Sequence, residues 1–209
     1  MVIAAVTATA LPALLTLAQQ PTSPPPVRES HGGLTVSADP WTFPEQYKAA
    51  FPKKNPLDGG AVAINVSFQN QTDQPLRVDL DRIRLLLYPP EGDRQKLTPL
   101  TSEDLVDLVL NPGAKDPTSS RPKVRIPGTK PKTGRGKDWD AFRAVAESAA
   151  IGTNIIEPNA TVHGLLYFDL GRQFDLVGYS RLYIPDVIVV ASGKPLLYFE
   201  LDLSRGAAH

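Results

Sequence analysis

The chain has 209 residues, with 22 Lys and Arg against 22 Asp and Glu, 21 Pro, 15 Gly, three His and no Cys. That length suffices for one ordinary domain with appendages, and a hydrophobic content of 42% excludes wholesale disorder. The lack of Cys excludes a disulfide scaffold, a thiolate zinc or iron–sulfur site, a thiol nucleophile and a cysteine lipid anchor.

Residues 1–18 (MVIAAVTATALPALLTLA) carry no charged side chain. Thr16 and Ala18 are small residues at the −3 and −1 places of a signal-peptidase site, so the segment reads as a signal peptide with the mature chain starting at Gln19. The basic start of such a segment is missing, since the first basic residue is Arg28; an upstream start would supply it. An uncleaved anchor is the rival reading, at the lower length limit for a span and interrupted by Pro12. The expected address is therefore exported, periplasmic or extracellular. Residues 19–31 open with a run rich in proline, whose stiff extended backbone marks a spacer.

A domain is expected over residues 32–204, with 205–209 as a tail carrying no retention or anchoring signal. Leu34 to Ala38 reads as a first strand. From Ala61 to Asn70, Val62, Ile64, Val66 and Phe68 alternate with small or polar residues, which is the period of a half-buried strand. After the turn cluster Gln71 to Pro75, Leu76, Val78 and Leu80 alternate, then the phase slips to Ile83, Leu85 and Leu87, which signals a bulge or a bend between two strands. Ala160 to Leu170 and Arg181 to Ala191 follow, the latter carrying Pro185 at an edge or break. The turn Ser192 to Pro195 leads to Leu196–Leu203, expected to form a hairpin with the preceding run and to face Leu197, Phe199, Leu201 and Leu203 inward. The fold expected is mainly β: an antiparallel β-sandwich of six or seven strands with a helical and basic-loop insertion.

The insertion spans residues 101–150. Thr101 and Ser102, with Glu103 and Asp104 behind them, start a helix that Asn111-Pro112 stops; the helix N-terminus accounts for Glu103 and Asp104 and leaves Asp107 over. Asp138 to Ala150 places Trp139, Phe142, Val145 and Ala149 on one helical face, and a turn of helix is expected around Pro44 to Phe51. These aromatic faces read as lids on the core.

Between the helices, residues 112–137 hold Lys115, Arg121, Lys123, Arg125, Lys130, Lys132, Arg135 and Lys137 against Asp116 alone, a net +7 that leaves −7 for the rest of the chain. Five prolines and few apolar side chains mark this stretch as a long mobile loop, unable to bury enough surface to offset its ordering entropy. Its eight basic residues are the candidate contact with an anionic lipid surface, another polyanion or an acidic protein face. Without an aromatic residue it lacks a stacking platform for single-stranded nucleic acid, which argues against that partner. A solvated insertion is the plainer reading.

Motifs that carry chemistry are missing: no Gly-x-Ser-x-Gly elbow, phosphate loop, dinucleotide fingerprint or His-Glu-x-x-His helix occurs. His163 and Asp169 share a strand face but lie about 20 Å apart at strand rise. Asp79 and Asp81, with Asp73 in the turn before them, read as a solvated strand face rather than a calcium site. Asn65-Val-Ser, Asn70-Gln-Thr and Asn159-Ala-Thr match the glycosylation acceptor pattern. No catalytic residue, metal, cofactor or small-molecule substrate is assigned.

The stretch from Ala61 to Pro90, the motif Gly164-Leu-Leu-Tyr-Phe-Asp and the final run Leu196 to Leu203 together resemble bacterial secreted immunoglobulin-like domains of unknown function. The resemblance covers the strands, about half the chain, and includes neither the basic insertion nor a lipid-anchoring Cys. It implies a fold and an extracytoplasmic address and brings no catalytic residues. The expected function is a non-catalytic exported binding or accessory module of the cell envelope. The alternatives are an assembly subunit associating through exposed sheet edges and a hydrolase built from distant residues such as His163 with Asp79 or Asp81.

Overall fold

The computed structural model describes residues 26–111 and 136–205. The signal segment 1–18, most of the spacer and all of the basic stretch except Gly136 and Lys137 lie outside these residues.

Strand β1 (Val27–His31) pairs antiparallel with β2 (Leu34–Trp41), so the chain is already in the sheet before the expected domain start at Gly32. Gly32 and Gly33 make the two-residue connection with φ of 60° and 77°, the left-handed pair that matches hairpin twist and that side chains disfavour. Two short helices, α1 (Pro44–Tyr47) and α2 (Pro56–Gly59), lead to β3 (Ala61–Asn70), the span its alternation predicted. Strand β4 (Leu76–Val78) then ends, and a 3-10 turn over Leu80–Arg82 carries the chain to β5 (Arg84–Leu87) in a different sheet. The one-residue phase slip is this change of sheet. Strand β6 (Gln95–Leu97) pairs with β5.

Helix α3 (Ser102–Leu110) opens where Thr101 Oγ1 accepts the Asp104 N–H at 3.1 Å. Helix α4 (Lys137–Ala149) begins after Gly136, and β7 (Ile155–Ile156) and β8 (Thr161–Asp169) follow. The run 181–191 divides at Pro185 into β9 (Ser180–Ile184) and β10 (Val187–Val189), because a proline cannot donate to a central ladder. The last strand, β11 (Phe199–Asp202), pairs with β9, while β10 leaves to pair with β4; the simple final hairpin is thus replaced by a strand pair with an excursion. Leu197 correspondingly points outward, 71% exposed, whereas Phe199, Leu201 and Leu203 are buried as expected.

The protein is mainly β, with eleven strands among the described residues where the alternation suggested six or seven, and all strand pairs within its three sheets are antiparallel. One sheet has the order β1-β2-β3-β8; the others are β10-β4-β7 and β11-β9-β5-β6. The main core fills the space between the first sheet, through residues such as Val36, Ile64 and Phe168, and the other two, through Val78, Leu85, Leu182 and Phe199. This is a β-sandwich.

The first sheet also buries half of its outer face. There Ala61, Ala63, Leu165 and Tyr167 pack against Tyr47, Phe51, Leu105, Val109 and Ala146, so the helices form a third layer. The first four residues of β3 are consequently buried on both faces, more than the half-burial its alternation implies. The small Ala61 and Ala63 make room for the aromatic rings above them. Gly164 in β8 has a similar purpose: a Cβ there would stand 2.6–2.8 Å from the backbone of Ala150 and Ile151, where the chain leaving α4 crosses the strand. No helix among the described residues is long and apolar enough to cross a membrane.

Candidate functional site

Helices α3 and α4 run antiparallel. Trp139 Nε1 donates to Asp107 Oδ1 at 2.8 Å, and one turn further on Arg143 reaches Glu103 at 3.4 Å, so residue numbers fall along α3 as they rise along α4. Asp107, the acid left over by helix capping, thus orients the buried indole. Arg143 also bonds Glu147 at 2.8 Å, and that partner keeps its guanidinium pKa above the usual value. The C-terminal end of α3 and the start of α4 therefore sit side by side, and these are the two points from which residues 112–135 leave and return.

At that end lies a groove of about 380 Å³ between α4 and the segment Phe51–Lys54. Phe51, Leu110, Phe142 and Val145 line it with apolar surface. Phe51 is buried and holds Phe142 at a ring separation of 5.5 Å and Tyr167 at 6.4 Å, so the floor of the groove is continuous with the core under the helices. Lys53 and Lys54 also line it, both exposed and without an ion-pair partner among the described residues, as does Asp138. Neither lysine was singled out from the sequence; the signal available was the run Phe51-Pro-Lys-Lys, with a second proline at Pro56.

Of the basic residues predicted as the contact surface, Lys115, Arg121, Lys123, Arg125, Lys130, Lys132 and Arg135 lie outside the described residues. Lys137 is described, and it corrects the expected boundary: it is the first residue of α4, exposed on a helix rather than within a loop.

The other candidates are dispersed. His163 is exposed on the outer face of β8 opposite Ser67 of β3. Asp79 and Asp81 are not on a strand, because β4 ends at Val78; Asp79 precedes the 3-10 turn that follows and Asp81 lies within it. Nothing draws His163 to either of them. Among the described residues no three His, Asp or Glu side chains converge. Asn70, one of the three acceptor-pattern asparagines, is 1% exposed and fully engaged: its Nδ2 donates to the carbonyls of Gln74, Ile156 and Glu157 at 2.8–3.2 Å, and its Oδ1 accepts from the Thr72 N–H and hydroxyl. It is a structural joint, closed to a glycan in the folded protein.

Two buried tyrosines lie under the helices. Tyr47 donates to the Trp41 carbonyl at 2.6 Å and accepts the Ala63 N–H at 2.9 Å; Tyr167 donates to the Ala146 carbonyl at 3.0 Å. Burial raises the pKa of both phenols well above the usual tyrosine range. They brace the helix layer through these bonds.

No family of known proteins and no curated relative matches the chain. Among solved structures, a functionally unknown protein from Listeria monocytogenes EGD-e is similar over 83% of this chain and 79% of that one, at 12% identity and a TM-score of 0.38.

Proposed function

We propose that the chain is a non-catalytic binding or accessory module exported to the cell envelope, in which the basic stretch 112–137 contacts an anionic lipid surface or an acidic protein face. The observation that carries this reading is the antiparallel pairing of α3 and α4. It gathers both ends of a segment with net charge +7 at one place, next to Lys53 and Lys54. Positive charges displayed together attract an anionic surface collectively, and such binding weakens as salt screens it. The two facing antiparallel layers are compatible with the immunoglobulin-like reading of the strands, while the extracytoplasmic address rests on residues 1–18 and on that resemblance.

Assembly through sheet edges has less to support it. Strand β6 is three residues long and carries Lys96, and β8 is flanked by bridges from Leu100 and Ala150. The Glu29 carboxylate accepts the Glu200 N–H at 2.7 Å, occupying a donor that β11 would otherwise offer.

Co-sedimentation with phosphatidylglycerol and phosphatidylcholine vesicles at low and high salt tests the proposal, using the full chain and a deletion of residues 112–135. Binding is expected to be specific for the anionic vesicles, salt-sensitive and lost on deletion. Equal binding to both vesicle types, or full retention in the deletion variant, overturns it. A melting curve for the deletion variant should match that of the full chain.

A further inference from the structure

We infer that the groove between Phe51–Lys54 and α4 binds a small anionic amphiphile, with an apolar body lying on Phe51, Phe142 and Val145 and a single carboxylate or phosphate head held by Lys53 and Lys54. The groove differs from the surface contact proposed above in taking one molecule rather than an extended surface, and Lys53 and Lys54 are the residues the two have in common.

Three observations converge on this ligand class. The first is size and lining: about 380 Å³ of concave space floored by aromatic and aliphatic side chains falls within the range of small-molecule sites. The floor is rigid, because Phe51 is only 4% exposed and is wedged between Phe142 and Tyr167. The second is charge. Two lysines adjacent in the chain line the groove with no ion-pair partner among the described residues, so an anionic head placed there meets attraction without displacing an existing ion pair. The third is the one acid among the described lining residues: Asp138 repels a second negative group, which favours a molecule charged at one end over one charged at both. Pro52 and Pro56 bracket the lysines and restrict the backbone that carries them.

The test uses the full chain and four probes: dodecanoate, dodecyl phosphate and dodecyltrimethylammonium, each below its micellar concentration, and acetate. Isothermal titration calorimetry is expected to show saturable one-to-one binding of the first two and none of the last two. The tighter of the two anions identifies the head group as carboxylate or phosphate. Lys53→Glu with Lys54→Glu should weaken the anionic probes by at least about tenfold. Ala141 is exposed on α4 and lines the groove, so Ala141→Phe fills the space without touching the core and should abolish binding while leaving vesicle co-sedimentation unchanged. Comparable binding of the cationic probe, undiminished binding in Ala141→Phe, or no binding of either anionic probe overturns the inference. The vesicle experiment is decided independently of these outcomes.

Discussion

Trp139 donates its indole N–H to the Asp107 carboxylate across the two helices that flank the basic stretch, at 2.8 Å. The indole is 2% exposed and Asp107 is half-buried, so removing the acceptor costs the buried indole N–H this hydrogen bond. Asp107→Ala is therefore expected to lower stability by about 1–3 kcal/mol. Asp107→Asn keeps an acceptor oxygen and should lose less. Chemical denaturation of the two variants against the parent checks the order.

Asn70 supplies a second ranking. Asn70→Ala leaves the carbonyls of Gln74, Ile156 and Glu157 short of a donor in a buried place, and a loss of about 2–3 kcal/mol is expected. Asn70→Asp should be worse at neutral pH, because an ionised carboxylate would face the same three carbonyls. Acidification protonates it and restores a donor, so the gap between the two variants should narrow as pH falls toward 3. Melting temperatures of both variants across that range read the effect.

The buried phenols set an alkaline limit. Tyr47 and Tyr167 titrate from 10.0 when exposed, and burial raises both in the folded protein. Above pH 10 the unfolded chain releases these protons while the folded chain retains them. Stability from this source is thus complete below pH 10 and falls as pH rises toward the folded values. Tyr47→Phe and Tyr167→Phe should each flatten the fall in melting temperature above pH 10, whatever they cost at neutral pH.

Local pattern anticipated much of this architecture. The span of β3, both long helices and the burial of Phe199, Leu201 and Leu203 follow from periodicity and end signals written in contiguous residues. What escaped depends on partners distant in the chain. Strand β1 has no clean alternation in Val27-Arg-Glu-Ser-His and is a strand because the Gly32-Gly33 turn folds it onto β2. Pro185 was read as an edge or a break, but the destination of β10, beside β4, is a long-range choice. The groove joins residues 51–54 with 138–145, almost ninety positions apart, and its parts taken singly look like a core aromatic and surface lysines. A bound amphiphile has no linear motif to announce it.

Two of the chain's passages between the sheets of the second layer, from β4 to β5 through Leu80–Arg82 and from β9 to β10 through Pro185-Asp186, are tied together by an ion pair between Arg82 and Asp186. The β10-β4-β7 sheet, with strands of only two or three residues, has too few ladder bonds to persist by itself. Opening it drags on β5 and β9, which are central in the neighbouring sheet. The second layer of the sandwich is therefore expected to open as one unit, with the amides of β4 and β10 exchanging with solvent no faster than those of β5 and β9.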